Sequence, residues 1–211
     1  MKMKILAVGA HGDDIEIGCG GTLLKKREYC PNLELYMAVM TLNTVEPKNT
    51  AVRREEEKKV AKILGAELIS GPADFVESRL EFRPVLQLLD GWLEDIGPDE
   101  IFVHWENDSH QDHMIVARAV FAATRRLSAS VFMYESMTSI SFLPTIFVDV
   151  TSQMERKAEL LSCFASQITE KRMVDGFDLI KRMRATTRYH GVVANMECAE
   201  GFIPYRVTKE Y

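Results

Sequence analysis

Residues 4–23 read KILAVGAHGDDIEIGCGGTL, an apolar run followed by a polar loop and a glycine-rich segment. The run from Lys4 to Gly9 is apolar at nearly every position, which is typical of a strand buried on both faces of a sheet. Open sheets built from such parallel strands place ligands at the carboxyl ends of their strands. The loop that begins at Ala10 is therefore the first place where we expect a functional site.

The same alternation of short apolar runs and longer helical patterns continues along the chain. Further strands are predicted at residues 34–41, 66–69, 100–104, 131–134 and 145–150. Helices are predicted at residues 22–27, 51–64, 84–96, 110–127, 153–164 and 175–188. Strands that are apolar on both faces and separated by helices indicate a mostly parallel sheet covered on both sides. The pattern predicts an α/β fold, a Rossmann-like three-layer sandwich.

Length and composition limit the class of protein. The 211 residues contain no linker rich in Gly, Pro or Ser and no internal repeat, which predicts a single domain over residues 1–211. The net charge of −5 weighs against binding to nucleic acid or to an anionic membrane. No window has the ~18 uninterrupted apolar residues of a membrane span, and no signal cleavage site follows the first residues. We therefore expect a cytoplasmic protein.

The loop after the first strand carries His11, Asp13 and Asp14. Adjacent carboxylates repel each other, so their grouping beside an imidazole favours a site in which a cation neutralises them. The alternative is an ordinary polar turn in which Asp14 caps the following helix. A dinucleotide site is disfavoured, because a G-x-G-x-x-G pattern starting at Gly18 would need glycine where the chain has Leu23.

A second polar cluster, His110-Gln111-Asp112-His113, follows the predicted strand at residues 100–104 and opens a helical pattern. His110 and His113 are three residues apart and therefore share one face of the first helical turn. Ser109 and Asp112 also fit a helix capping box, which is a purely structural explanation for Asp112. Together the two clusters supply two histidines and one carboxylate, which is the ligand set of a catalytic zinc ion.

The motifs His11-Gly12-Asp13-Asp14 and His110-Gln111-Asp112-His113 resemble those of the LmbE/PIG-L family of zinc-dependent N-acetylglucosaminyl deacetylases. The family pattern has proline where this chain has Gly12. The likeness extends along the chain to residues 53–56, 64–65, 134–135, 144–149, 166–167 and 199–202. An LmbE-like fold and a single deacetylase domain are what the resemblance implies.

The resemblance implies a zinc-dependent hydrolase that removes the N-acetyl group from an N-acetylamino sugar or its conjugate. In this interpretation His11, Asp14 and His113 bind Zn²⁺. Asp13 acts as the general base toward a water that the zinc ion activates, which lowers the pKa of that water from about 15.7 toward roughly 7.

The remaining roles also follow from the resemblance. His110 stabilises the oxyanion or donates a proton, and Asp112 orients His110 by accepting an imidazole N–H. Arg53 binds the substrate, although a solvated ion pair with Glu56 or with residue 57 explains it equally well. The partners are a small N-acetyl sugar or glycoconjugate and further copies of the chain, in a trimer or hexamer.

Two other functions stay open at this point. His11, Asp13 and His113 also match the facial triad of a mononuclear iron(II) oxygenase, although that leaves Asp14 without a role. A sugar-binding protein that has lost catalysis is the second, although every residue of the two motifs is present. The sequence does not assign a role to His190 or to the residues after Arg188.

Overall fold

The structure is a computed structural model that describes residues 2–44, 47–166 and 178–208. Within these ranges the strands are β1 (Lys4–Gly9), β2 (Glu34–Val39), β3 (Glu67–Ser70), β4 (Glu100–His104), β5 (Ser130–Tyr134), β6 (Ile146–Asp149) and β7 (Ala199–Arg206). The α-helices are α1 (Asp14–Tyr29), α2 (Pro47–Leu64), α3 (Phe82–Ile96), α4 (Gln111–Ala123), α5 (Met154–Ser162) and α6 (Leu179–Ala194). Gln167 and the predicted helix start at Asp175 lie outside the described residues.

The strands form one sheet in the order β3-β2-β1-β4-β5-β7-β6. The first five pair in parallel, and β7 runs antiparallel between β5 and β6. This confirms the predicted Rossmann-like α/β fold, to which β7, after Arg188, adds an antiparallel strand. The strand order reverses between β1 and β4, where an open α/β sheet leaves a crevice at its carboxyl edge.

Two cores on opposite faces of the sheet explain why β1 is apolar throughout. Successive side chains of a strand point to opposite faces. Ile5 and Ala7 therefore pack in the core that contains residues of α1, α2 and α5. Leu6 and Val8 pack in the other core, against α3 and α4. After the half-buried Lys4, both faces of β1 are buried in apolar cores, which explains the apolar run up to the loop.

The prediction that the first helix begins at Thr22 is wrong, because α1 begins at Asp14. The first half of α1 is buried on nearly every side, so it has no polar stripe from which helical periodicity could be detected. Because its glycines have no side chain, other elements pack closely against α1. Glu200 of β7 accepts hydrogen bonds from the backbone N–H groups of Gly21 and Thr22, at 2.8 and 2.7 Å. A Cβ atom on Gly21 would lie 2.9 Å from that carboxylate.

Gly18→Ala is expected to lower the free energy of unfolding by about 1–3 kcal/mol, the usual cost of overpacking a core. An added Cβ would overlap the ring of Tyr134, which is fully buried and fixed by a hydrogen bond from its hydroxyl to the carbonyl of Val8. Gly20→Ala, in the same helix, is the matched control, since its nearest atom would be Leu160 Cδ1 at 3.6 Å. Urea unfolding measures both, and equal midpoints for the two variants would contradict the packing described.

Two further findings concern the whole chain. Cys19, Cys30, Cys163 and Cys198 are free, and Cys19 and Cys198 are buried. None of the helices within residues 2–44, 47–166 and 178–208 combines the length and the apolar character needed to cross a bilayer.

Candidate metal centre

The two polar motifs meet at the carboxyl edge of the sheet, in the crevice between β1 and β4. The loop after β1 carries His11 into this crevice, and α1 begins there with Asp14. The loop after β4 ends at His110, and the first turn of α4 carries Asp112 and His113. Because the strand order reverses here, residues far apart in sequence come into contact.

Asp14 lies at the centre of the cluster, and three imidazoles face its carboxylate. Its Oδ2 atom accepts a hydrogen bond from the backbone N–H of His11 at 2.8 Å and lies 3.5 Å from Nδ1 of the same residue. The Oδ2 atom is also 3.2 Å from Nε2 of His104, and Oδ1 is 3.4 Å from Nε2 of His113. All four residues are buried.

In two of these histidines, the ring nitrogen that points away from Asp14 contacts a further carboxylate. Nε2 of His11 lies 3.0 Å from Oδ2 of Asp112, and Nδ1 of His113 lies 3.2 Å from Oδ2 of Asp108. A carboxylate on the far nitrogen is the usual arrangement around a metal-binding imidazole, because it fixes the tautomer and the ring orientation. Nδ1 of His11 and Nε2 of His113 are thereby left facing Asp14.

The charges of the cluster account for its pKa values. Burial disfavours the imidazolium form of His11, but hydrogen bonds to Asp112 and Asp14 outweigh burial and raise the pKa of His11 to about 9. Burial is likewise outweighed by Asp14 and Asp108 at His113, whose pKa is raised to about 10. Burial also opposes the charge of Asp14, yet His113 and His104 hold the pKa of this carboxyl well below its usual range.

His104 differs from the other two histidines because burial, together with the charge of His113, lowers its pKa to about 4. Its Nε2 atom accepts a hydrogen bond from the backbone N–H of Ala10 at 3.1 Å, which occupies the lone pair of this nitrogen. The ring stacks on His113 with 4.0 Å between ring centroids. These contacts make His104 a packed histidine at the end of β4.

The donor set fits a divalent cation. The carboxylates of Asp14, Asp108 and Asp112 gather around the imidazoles of His11 and His113, and a divalent ion would offset part of their negative charge. A tetrahedral zinc ion with bonds of about 2.0–2.1 Å separates its ligand atoms by about 3.4 Å. The distances of 3.5 and 3.4 Å from Asp14 to His11 and His113 match that spacing.

Two overlapping groups of side chains come within reach of a shared ion in the described part of the chain. One consists of His11, His110 and His113, and the other of Asp14, His104 and His113. The predicted set of His11, Asp14 and His113 combines members of both groups, and Asp14 faces His11 with Oδ2 and His113 with Oδ1. Nε2 of His104 already accepts a hydrogen bond from the backbone N–H of Ala10, so it is not free to bind an ion. This favours the predicted set over the group that contains His104.

Asp108 was not predicted from the sequence, yet its contacts tie several parts of the site together. It accepts hydrogen bonds from the hydroxyls of Ser136 and Ser139 and from the backbone N–H of His110, besides its ion pair with His113. Those contacts outweigh the cost of burial and hold the pKa of Asp108 far below its usual range. An aspartate in a polar loop carries no sequence signal of such a role.

Asp108→Asn is expected to weaken zinc binding about 10- to 100-fold, the usual effect of losing the carboxylate behind a metal-binding histidine. The amide no longer offers a charged acceptor to Nδ1 of His113, so the ring loses its orientation. Competition with a chromogenic chelator measures the affinity. Asp90→Asn, an exposed aspartate of α3 paired with Arg125, is the control and should bind zinc like the unaltered protein. Equal affinity in both variants would contradict this role of Asp108.

Asp13 occupies the turn between β1 and α1 with a left-handed φ of 88°, an uncommon conformation for a residue with a side chain. It stands at the N-cap position of α1, but its side chain makes no capping hydrogen bond. Backbone strain of this kind is concentrated at functional sites. The preceding Gly12 lies against α2, because a Cβ there would be 2.6 Å from Glu57 Oε2. Glycine thus leaves room for the side chain of Glu57 where the family pattern has proline.

The predicted capping box of α4 is wrong, because His110 and not Ser109 is the N-cap residue. Nδ1 of His110 accepts a hydrogen bond from the backbone N–H of Asp112 at 3.2 Å. Ser109 is drawn away from the helix, since its backbone N–H and its hydroxyl both donate to the carbonyl of Thr138. An accepting Nδ1 places the proton of a neutral His110 on Nε2, where it can serve as a donor.

The carboxylate of Asp112 contacts His11 and not His110, which differs from the orientation that the resemblance suggested. It also accepts a hydrogen bond from the backbone N–H of Ser78 at 2.7 Å. The ring of His110 lies 4.7 Å from that of His11 and 4.6 Å from that of His113, measured between centroids. Asp112 therefore orients a predicted metal ligand, while the backbone of Asp112 orients His110.

Arg53 is buried on α2 and forms an ion pair with Glu77, whose Oε2 atom lies 2.8 Å from Nη1 of Arg53. The alternative pairing with Glu56 is not found, since Glu56 bonds Ser166. Glu77 precedes Ser78 in the loop after β3, and the N–H of Ser78 holds Asp112. Arg53 thus lies at the edge of the site, joined to it through this loop.

Tyr134 and His190 do not belong to the cluster around Asp14. Tyr134 is a core residue, because its buried hydroxyl donates to the carbonyl of Val8 and its ring covers α1. Nε2 of His190 lies 3.2 Å from Oε2 of Glu135, so this histidine belongs to a separate contact between α6 and the segment after β5.

Comparison with known proteins supports the same family. A family model described as PIG-L, GlcNAc-PI de-N-acetylase, matches residues 6–124. The uncharacterized deacetylase YaiS of Escherichia coli K12 is 28% identical over 159 residues, which cover 72% of this chain and 84% of YaiS. The diacetylchitobiose deacetylase of Thermococcus kodakarensis is 27% identical over 237 residues, covering 95% and 83% of the two chains. The structure of N,N'-diacetylchitobiose deacetylase from Pyrococcus horikoshii shares the fold, with a TM-score of 0.80, 22% identity and coverage of 97% and 86%.

Proposed function

Because the chain belongs to the PIG-L family of de-N-acetylases, we propose that it is a zinc-dependent hydrolase removing the N-acetyl group from an N-acetylamino sugar or its conjugate. The relatives named as deacetylases support the reaction class. The observation that carries the proposal is that His11 and His113 both face the carboxylate of Asp14, with a further carboxylate behind each histidine.

His11, Asp14 and His113 would hold the metal ion, with Asp112 and Asp108 orienting the two imidazoles. When bound, zinc supplies a Lewis acid that acidifies a coordinated water and polarises the acyl carbonyl. Three protein ligands leave a position open, which is the arrangement of catalytic rather than structural zinc sites. Iron(II) in a triad with Asp13 is the weaker alternative, because it leaves Asp14 at the centre of the cluster without a role.

Asp13 is the proposed general base. It directly precedes Asp14 in the turn at the carboxyl edge of the sheet, and in this proposal its carboxylate takes a proton from the water that attacks the acyl carbon. A base placed in this way adds about 10²–10⁴-fold to a rate. The proton passes to the nitrogen of the amide as the C–N bond breaks, giving acetate and a free amine.

His110 is proposed to stabilise the negative charge that develops on the acyl oxygen. Burial and the charges of His11 and His113 lower the pKa of His110, so the ring is neutral and its Nε2–H is a hydrogen-bond donor. A donor fixed before the reaction stabilises the oxyanion without the cost of reorienting water. Arg53 is proposed to bind the sugar at the edge of the site. It would do so either by giving up its ion pair with Glu77 or while keeping that ion pair.

The test is a screen of N-acetylated amino sugars and their glycosides for release of primary amine, with and without a chelator. We expect amine release that the chelator abolishes and that added zinc restores, without consumption of oxygen. Oxygen consumption would favour the iron oxygenase, and tight sugar binding without any amine release would favour a binding protein. Either result would refute the proposed hydrolase.

Three properties predicted from the sequence remain predictions. They are the single-domain organisation of residues 1–211, the cytoplasmic location and the assembly into a trimer or hexamer.

A further inference from the structure

Ser78, in the loop after β3, has a left-handed φ of 64°, a conformation that residues with a side chain seldom adopt. It is the third residue of a turn that closes when the N–H of Arg79 donates to the carbonyl of Val76 at 3.0 Å, and glycine is favoured where such a position has a positive φ. The side chain of Ser78 is exposed, and its hydroxyl has no hydrogen-bond partner among the described residues. The reason for the strained conformation must therefore lie in its main chain.

Both polar main-chain groups of Ser78 contact the first turn of α4. Its N–H donates to Oδ2 of Asp112 at 2.7 Å, and its carbonyl accepts a hydrogen bond from the side-chain amide of Gln111 at 2.6 Å. Two consecutive residues of α4 thus bind the donor and the acceptor of one residue. These contacts hold Ser78 in its left-handed conformation, and backbone strain that is maintained in this way is concentrated at functional sites.

The loop is also fixed from two other directions. Glu77 pairs with Arg53 of α2, and the N–H of Glu77 donates to the carbonyl of Asn43 at 3.1 Å. The side-chain amide of Asn43 in turn donates to the carbonyl of Phe75 at 2.9 Å. The N–H of Ser78 is therefore a hydrogen-bond donor whose position is fixed by the fold.

The carboxylate of Asp112 depends on this donor for its orientation. It is fully buried, and its Oδ2 atom contacts both the N–H of Ser78 and Nε2 of His11. Within the described part of the chain, Oδ1 of Asp112 has no hydrogen-bond partner. Apart from His11 itself, the hydrogen bond from Ser78 is thus what keeps this carboxylate turned toward the imidazole.

We propose that Ser78 is a positioning residue of the metal centre, whose main-chain N–H fixes Asp112 so that Asp112 can orient His11 toward the ion. The inference rests on the proposed function and adds to it a residue that acts only through Asp112. The left-handed conformation of Ser78 aims the N–H, and the exposed hydroxyl has no part in it.

The experiment measures zinc affinity by competition with a chromogenic chelator and, separately, the urea midpoint of the metal-free protein. Ser78→Pro removes the N–H and excludes the left-handed φ, so we expect it to bind zinc about tenfold more weakly, as when an outer partner of a metal ligand is lost. Ser78→Gly keeps the N–H and adopts the same φ without strain, so it should bind zinc within twofold of the unaltered protein.

Asn195→Pro is the matched control for the structural cost of proline. Asn195 follows α6, is exposed, has a left-handed φ of 55° and donates its N–H to the carbonyl of Val192, outside the metal centre. This variant should lower the urea midpoint and leave the zinc affinity unchanged. A role of Ser78 that is merely structural would make Ser78→Pro behave in the same way.

A double-mutant comparison tests whether Ser78 acts through Asp112. In an Asp112→Ala background, Ser78→Pro should weaken zinc binding by less than a further twofold, because the acceptor of the N–H is already absent. Full losses that multiply would overturn the proposed route through Asp112. If Ser78→Pro does not fold, Gln111→Ala decides, since it releases the carbonyl of Ser78 and should weaken zinc binding about two- to fivefold.

The outcomes separate the positioning role from the function on which it rests. Unchanged zinc affinity in Ser78→Pro, or in Gln111→Ala where that variant decides, would overturn the role of Ser78 and leave the zinc hydrolase standing. An equal loss of affinity in Ser78→Gly and Ser78→Pro would also overturn it, because glycine preserves the N–H. An unaltered protein that binds no zinc would refute the proposed function itself.

Discussion

Asp13→Asn is expected to lower kcat about 10²- to 10⁴-fold while the protein keeps its full complement of zinc, because the loss removes a general base. The substitution preserves the size of the side chain and replaces an oxygen that can accept a proton with an amide that cannot. Asp13 lies in the strained turn before α1 and directly precedes Asp14, whose carboxylate faces three imidazoles, and this placement at the cluster is the ground for proposing it as the base. Steady-state kinetics together with elemental analysis measure both quantities.

The neighbouring Asp14→Asn is the matched control for that experiment. Its carboxylate contacts His11, His104 and His113, so this variant should lose zinc as well as activity. Full zinc content in Asp14→Asn combined with zinc loss in Asp13→Asn would reverse the roles of the two aspartates. Asp13→Asn with undiminished kcat would show that another group takes the proton.

His113→Ala is expected to abolish stoichiometric zinc binding, and activity with it. Its ring lies between Asp14 on one nitrogen and Asp108 on the other, so no other side chain can take its position without moving both carboxylates. Removing one ligand of three leaves a site that no longer satisfies the coordination that zinc requires. Zinc per protein chain, measured after dialysis, gives the result directly.

His104→Gln is the control that distinguishes a ligand from a neighbour. His104 also lies near Asp14, but its Nε2 accepts from Ala10, and the glutamine amide oxygen is able to accept the same bond. We expect this variant to retain one zinc per chain. Loss of zinc in His104→Gln, with retention in His113→Ala, would assign the metal to the other histidine.

The sequence was sufficient to predict the sheet and the two motifs for a physical reason. Strands such as β1 are buried on both faces, so their apolar runs are unambiguous, and polar residues that follow such strands stand at the sheet's carboxyl edge. The reversal of strand order between β1 and β4 brings His11 and His113 together. Residue types and their place along the chain thus predicted that the two motifs would lie at this edge of the sheet, whereas the assignment of ligands came from the family resemblance and stays a prediction.

The surroundings of that centre could not be predicted, because they depend on contacts between loops. Asp108 meets Ser136 of another loop, and Ser78 holds Asp112 through a backbone N–H that any residue type could provide. Arg53 pairs with Glu77, 24 residues away, where helical spacing suggested Glu56. The start of α1 was missed since its glycine-rich half is buried without periodicity.

The most direct test of the account is a crystal structure of the zinc-loaded protein with anomalous data collected at the zinc absorption edge. We expect one anomalous peak at about 2.0–2.1 Å from Nδ1 of His11, from the carboxylate of Asp14 and from Nε2 of His113, with a fourth position open to solvent. A peak held instead by His104, or by His11, His110 and His113 without Asp14, would contradict it.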